Sequence, residues 1–205
     1  MMSTKEPQAQ ELLRALPAED ERVLARLHAR LAAGAAADGI LDVAYRTLDS
    51  PVGPLLLAAT GAGLIRVAFA RQDHDAALAE LAALVSPRIL AAPGRLDEAA
   101  RQLDEYFAGQ RREFALPVDL RLARGFRRSV LAHLPLIPYG MTESYAQVAE
   151  AAGSPRAVRA VGTACARNPV PIVVPCHRVV RSDGSSGGYA GGPDAKQALL
   201  TLEAA

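Results

Sequence analysis

Tryptophan is missing from this sequence, aromatic residues make up 4% of its 205 positions, and cysteine occurs twice. Without large rings, the core has to be assembled from Ala, Leu and Val, and a hydrophobic content of 50% supplies enough of them. Two cysteines, Cys165 and Cys176, cannot form a disulfide framework. With four scattered histidines they also argue against a tetrahedral zinc site, so neither metal nor cofactor is expected. No stretch approaches the roughly 18 uninterrupted apolar residues of a membrane span, and the polar N-terminus lacks the apolar centre of a secretory signal. The expectation is a cytoplasmic protein with no membrane partner, in which a cysteine is either core filler or a reagent.

A large net charge is also lacking: the formal value is +1, which selects no partner. Its distribution is more informative. Residues 1–42 hold five basic and seven acidic residues, whereas residues 121–181 hold nine arginines against Glu143 and Glu150. Such a local excess suits a polyanion, although a solvated basic face carries the same signature.

Pro17, the acidic Glu19, Asp20 and Glu21, and the stripe Val23/Leu24, Leu27 and Leu31 predict a helix that stops at Gly34. An Ala/Gly linker to Gly39 follows, and residues 1–10 are expected to fray. Over 41–70, "LDVAYRTLD", "PLLLAAT" and "LIRVAFA" read as strands separated by Gly/Pro turns. Helical periodicity covers 75–85 and 95–109, where Leu96, Ala99/Ala100, Leu103 and Phe107 share a face, and "REFALPV" reads as a returning strand. No reactive cluster stands out there. Beyond Gly125 come short helices: one over 126–134, one entered from Thr142 and stopped by Gly153, and one with Ser154 as N-cap and Pro155 at its first position. The last two match helix-turn-helix spacing. The expected fold is α+β: a helical extension (1–38), a unit with a small, mainly antiparallel sheet and helices (39–120), and a helical, winged-helix-like domain with a helix-turn-helix (121–205).

Chemistry concentrates in "PVPIVVPCHRVV", residues 169–180. An unpaired cysteine is usually a small buried hydrophobe, and Cys165, inside an Ala-rich helix, is read that way. Cys176 differs. Pro175 fixes its approach, His177 and Arg178 follow at once, and the Gly-rich "SDGSSGGYAGG" beyond has the composition of a loop that closes over a ligand. Cationic neighbours are expected to lower the thiol pKa. Neighbouring side chains of an extended strand face opposite ways, so a Cys176–His177 pair needs a turn or a bridging water. The imidazole also needs an acceptor on its other nitrogen, for which Glu203, Glu150 and Asp194 are candidates. Glu203 closes an expected terminal helix, 195–203, with Leu199, Leu200 and Leu202 inward. A carboxylate there opposes the helix dipole at a cost of roughly 0.3–1 kcal/mol, so a compensating partner is expected. His28, His74 and His133 are read as structural or exposed.

Five collinear blocks, "SYAQVA" (144–149), "RAVG" (159–162), "NPVPI" (168–172), "PCHRVV" (175–180) and "GGYAGG" (187–192), resemble the O6-alkylguanine-DNA alkyltransferases, also called methylated-DNA–protein-cysteine methyltransferases. The likeness is close from about Phe126 to Glu203 and weaker at "TLDSPVG" (47–53). Residues 1–38 match nothing in the family. The resemblance implies DNA repair by a monomer that moves an alkyl group, once and irreversibly, from O6-alkylguanine in double-stranded DNA to Cys176. It implies that His177 takes the thiol proton through a water, that Glu203 holds the imidazole, and that Asn168 braces the turn. Tyr145 would donate to the flipped base, and Arg159 would fill the gap in the stack. Arg156 and the small Ala157, Ala160 and Gly162 would lie along the DNA. The carbonyls of Cys176 and Val179 would read the guanine amino group, and Tyr189 and Ala190 would wall the pocket.

The sequence departs from the family pattern in places. No cysteine precedes position 165, so the zinc site of some relatives is not expected. Val158 and Thr163 are bulkier than residues some relatives use, and Ala190 stands where some carry a serine. Three other readings compete. A lesion-binding relative lacks the acceptor cysteine, which is present here. A cysteine hydrolase is opposed by the adjacency of Cys176 and His177 and by the basic helix. A helix-turn-helix regulator would need a dimerisation segment, for which 17–33 is the one candidate.

Overall fold

The computed structural model describes residues 18–204, in two units: one ends at Leu41, the other begins at Asp42. The expected fraying of 1–10 and helix start at Pro17 lie outside the described residues. The first unit is helix α1 (Ala18–Ala37). It runs through Gly34 and the expected linker, because the flanking alanines are the best helix formers. It ends where Gly39 adopts φ +67° and Ile40 N donates to Ala35 O at 2.9 Å, the closing bond of a Schellman motif. Val23, Leu24, Leu27 and Leu31 are exposed on it.

In the second unit, β1 (Val43–Leu48), β2 (Leu55–Thr60) and β3 (Gly63–Phe69) form the antiparallel meander. Helix α2 (His74–Leu84) follows, started by Asp73, whose Oδ1 accepts from Asp75 N and Ala76 N. The chain then returns as β4 (Ile89–Ala91), parallel to β1, so the sheet is mixed with order β3–β2–β1–β4. Ala77 and Leu81 of α2 pack on Leu56, Ala58, Ile65 and Ala68. Leu55, Leu56 and Leu57 are all buried, which explains an unbroken apolar run in β2 instead of alternation. Each such side chain contributes about 1.5–3 kcal/mol on burial.

The "REFALPV" run is not a strand. Pro117 has no N–H with which to extend a ladder, and the segment makes a single bridge, Val118 to Leu64. It still covers the β3 edge: Leu64 N donates to Pro117 O (2.8 Å) and Asp119 N to Leu64 O (2.9 Å). Further along that edge, Val67 N donates to Pro169 O at 2.8 Å, which ties the sheet to the turn preceding Cys176. Helix α3 (Asp97–Phe107) buries Leu103 and Tyr106, whereas Phe107, expected on the core face, is half-buried.

The remaining elements are α4 (Phe126–His133), β5 (Glu143–Ser144), α5 (Tyr145–Ala151), α6 (Val158–Ala166), β6 (Val179–Val180) and α7 (Gly192–Glu203). Helix α5 starts at a capping box rather than at Thr142: Ser144 Oγ accepts from Gln147 N, and Gln147 Oε1 accepts from Ser144 N. It stops at Gly153, φ +77°, with Ser154 N bonded to Ala149 O. Helix α6 begins at Val158, later than expected, because Ser154–Ala157 is spent on a turn closed by Ala157 N to Ser154 O (2.8 Å). Strands β5 and β6 pair in parallel, and Val180 bridges Ser186, forming a small wing beside the helix-turn-helix. Among the described residues no helix is long and apolar enough to cross a membrane.

The covered edge of β3 yields a prediction. Gly63 has φ +135°, and a Cβ there would sit 2.3 Å from Pro117 O. Gly63→Ala is expected to cost about 2–4 kcal/mol, read as a lower Tm. An unchanged Tm would show that the 117–119 segment is not fixed against the sheet.

Candidate active site

The turn before Cys176 is built around Asn168. Its Oδ1 accepts from Val170 N (3.0 Å), and its Nδ2 donates to Val174 O (2.8 Å) and to Cys176 Sγ (3.1 Å). Inside this loop Ile172 has φ +75°, a conformation a β-branched residue rarely adopts. Such strain costs on the order of 1–3 kcal/mol and persists only where its surroundings enforce it. Asn168, the Val174 N to Val170 O bond (2.9 Å) and the link from Pro169 to β3 provide that enforcement. All residues from Asn168 to Val180 are buried.

Cys176–Arg178 then forms a single turn of 3-10 helix, not an extended strand. This turn sends His177 and Arg178 towards Glu203 at the end of α7. His177 Nε2 lies 2.8 Å from Glu203 Oε1, and Arg178 reaches Oε2 through Nε (2.8 Å) and Oε1 through Nη2 (2.9 Å). Tyr106 Oη donates to Oε1 at 2.7 Å, and Gly140 N to Oε2 at 3.3 Å. Glu203 is 4% exposed and is therefore no fraying helix end. Cys176 Sγ makes no hydrogen bond to His177, whose Nδ1 is buried and unpartnered among the described residues.

The ionisation states follow from these contacts. Although burial opposes its charge, the His177 and Arg178 donors hold the Glu203 carboxyl down at about 2. An ionised carboxylate only accepts, so His177 Nε2 carries the ring proton and Nδ1 keeps its lone pair. Burial also pushes the imidazole below its ordinary value, with Glu203 opposing. The expected lowering of the Cys176 thiol is overturned. Burial pushes it up to about 11; the Asn168 donor and the nearby Lys196 offset only part of this, and Arg178 is turned to Glu203. At neutral pH the resting pair is a thiol beside a neutral imidazole.

Tyr145, the first residue of α5, lies between Gly162 of α6 and the Gly-rich loop. A Cβ on Gly187 would come within 2.1 Å of its hydroxyl. Tyr189 sets its ring edge-on to His177 (6.3 Å between centroids) and to Phe69 of β3 (5.5 Å). Ala190 beside it is half-buried. Val179 O, expected to face the base, accepts from Lys196 Nζ at 2.6 Å, which leaves one lone pair. Arg156, Arg159 and Ala160 are exposed, whereas Ala157 is half-buried. Cys165 is buried in α6 and its thiol is pushed up strongly by desolvation. Of the acceptors considered for His177, Glu150 is exposed on α5 and Asp194 is exposed in the first turn of α7. His133 binds Glu143 at 2.8 Å and ties α4 to β5.

Three site residues escaped the sequence reading. Lys196, 0% exposed, shares a face of α7 with Leu199 and Glu203 at helical spacing, and that pattern was available in the sequence. The expected inward trio is corrected accordingly: Leu199 is fully buried, but Leu200 and Leu202 are half-buried. Arg178 was read as a cation for the thiol rather than for Glu203. Tyr106 had no local signal, because the contact with Glu203 spans 97 residues of sequence.

A buried thiol near a His–Glu pair, in a domain whose helix-turn-helix bears exposed arginines, fits the class of nucleic-acid-binding proteins with a cysteine at the site. Residues 43–120 match the family model "6-O-methylguanine DNA methyltransferase, ribonuclease-like domain", and residues 125–205 match its "DNA binding domain". The methylated-DNA–protein-cysteine methyltransferase of Mycobacterium tuberculosis (strain H37Rv) is 43% identical over 159 residues, 78% of this chain and 91% of that protein. The crystal structure of Mycobacterium tuberculosis O6-methylguanine methyltransferase superposes with TM-score 0.70 at 42% identity, covering 79% of this chain and 93% of that one. The structure of Mycobacterium tuberculosis OGT in complex with DNA gives 0.68 at 41% identity, covering 78% and 92%. The chain belongs to the methylated-DNA–protein-cysteine methyltransferases, DNA-repair enzymes that transfer an alkyl group to protein.

The Glu203 carboxyl also predicts a pH signature. A group depressed in the folded state stabilises it above the unfolded value, here 4.5, and that contribution is lost as pH falls towards 2. In denaturant unfolding, the stability gap between wild type and Glu203→Gln should be widest above pH 4.5 and close by roughly 3 kcal/mol near pH 2. A gap independent of pH would mean that Glu203 is not ionised in the folded protein.

Proposed function

We propose that Cys176 accepts the alkyl group of O6-alkylguanine flipped out of duplex DNA, once per chain, in a monomer working in the reducing cytoplasm. The observation that carries this reading is the Cys176 Sγ held by Asn168 at the head of a buried His177–Glu203 pair. As Sγ bonds to the alkyl carbon, the carbon–O6 bond breaks and its electron pair stays with guanine. The thiol proton goes through a bridging water to His177 Nδ1. The Tyr145 hydroxyl meets the charge developing on the base, which lowers the barrier where charge appears. The product is a thioether, and among the described residues no group is suited to removing it.

The lesion is inside a stack, so access costs a few kcal/mol of unpairing and unstacking. Arg159, exposed on α6, is assigned to fill the vacated space. Arg156, Ala157, Ala160 and Gly162 are assigned to the surface along the backbone, where small residues allow close approach. Val179, Tyr189 and Ala190 are assigned to the pocket.

Incubation with duplex DNA containing O6-methylguanine should add one methyl group per chain, mapped to Cys176 by mass spectrometry, and none to Cys176→Ala. Multiple turnovers, or methylation of Cys165, would contradict the reading. Arg159→Ala should slow repair of duplex DNA more than reaction with the free modified base, because a wedge matters only when a stack must be opened. Tyr145→Phe should slow both. Equal losses for Arg159→Ala would place that residue in folding or chemistry.

A further inference from the structure

Residues 43–120, which carry the sheet, include no cysteine, yet they reach the active site. Tyr106, 0% exposed on α3, donates to Glu203 Oε1 at 2.7 Å, the same oxygen that faces His177 Nε2 at 2.8 Å. Its ring is fixed edge-on to Phe107 and Tyr139 and tilted against Phe114, so the hydroxyl has little freedom to leave. Burial and the Glu203 charge hold Tyr106 un-ionised, so it is a donor at every pH of interest.

We propose that Tyr106 is a positioning residue for alkyl transfer: it pins Glu203 Oε1 against His177 and sets how strongly that oxygen supports a charged imidazole. This rests on the proposed role of His177 as proton acceptor. The other groups facing the pair are accounted for. Arg178 and Gly140 N bind Glu203, while Arg178, Lys196 of α7 and the Tyr189 ring surround His177. None of them occupies the place of the Tyr106 hydroxyl.

The sign follows from charge. A hydroxyl donating to Oε1 draws negative charge away from His177. Without it the imidazolium is better stabilised, so His177 is protonated at higher pH, where it can no longer take the thiol proton. Tyr106→Phe keeps the ring and removes only the oxygen.

The test is the single-turnover transfer rate of the full chain on O6-methylguanine duplex across pH, with DNA affinity measured separately. Tyr106→Phe should move the acid limb up by about half a pH unit and leave DNA affinity unchanged. A uniform slowing with an unmoved midpoint, or a midpoint that moves down, overturns the proposal and makes Tyr106 a packing residue. A second arm needs no transfer. In a Cys176→Ala background, NMR titration of His177 should show the same upward shift on Tyr106→Phe, and an unchanged titration overturns the proposal. Failure of the wild-type protein to transfer would instead remove the proton-acceptor reading, leaving the NMR arm to decide the coupling.

Discussion

The negative charge of Glu203, out of water at the end of α7, constrains more of this structure than any other group. Desolvating a carboxylate costs several kcal/mol unless its lone pairs are filled. Here they accept from Tyr106 of α3, His177 and Arg178 of the cysteine turn, and Gly140 ahead of β5. These donors come from segments far apart in sequence, so the charge works as a template that fixes where each segment ends. Gly140 shows how tight the fit is: at φ +76°, a Cβ there would lie 2.8 Å from Glu203 O. Arg178 also donates to Ile137 O at 2.6 Å, which extends the network into the loop after α4.

The same burial explains how a reactive cysteine can wait. With its thiol pushed up to about 11, Cys176 is almost entirely protonated at neutral pH. On the proposed single-use reading, a poor resting nucleophile is an advantage until a substrate arrives. The thiolate is the nucleophilic form of a cysteine, and in the proposed mechanism it arises by proton transfer to His177 in the occupied site. Asn168 Nδ2 holds Sγ in place meanwhile. Through Pro169 the turn is hydrogen-bonded to the β3 edge, so the sheet serves as a mount for the chemistry.

Much of this was legible in the sequence, and the limits have physical causes. The meander, α2 and α3 followed from periodicity and Gly/Pro punctuation, as did the helix-turn-helix. Errors fell at ends: α1 overran Gly34 because alanine propensity outweighed one glycine, and α6 began late because Ser154–Ala157 became a turn. "REFALPV" had strand composition, but Pro117 restricted it to one bridge. At the site, "NPVPI" and "PCHRVV" singled out Asn168, Cys176 and His177, and the fold sets Asn168 against Cys176 and His177 against Glu203. The thiol pKa came out with the wrong sign because adjacency to cations was visible and burial was not. Tyr106 was invisible because its role depends on a contact across the fold, between two helices with no shared motif.

The most direct test of this account is the protonation state of the resting site at pH 7. Nitrogen-15 NMR of histidine-labelled protein distinguishes the two neutral imidazole tautomers from the cation, and carbon-13 at the cysteine β position distinguishes thiol from thiolate. The account predicts a neutral His177 with its proton on Nε2, facing Glu203, and a protonated Cys176. A resting imidazolium–thiolate pair, or a neutral His177 with its proton on Nδ1, would contradict it.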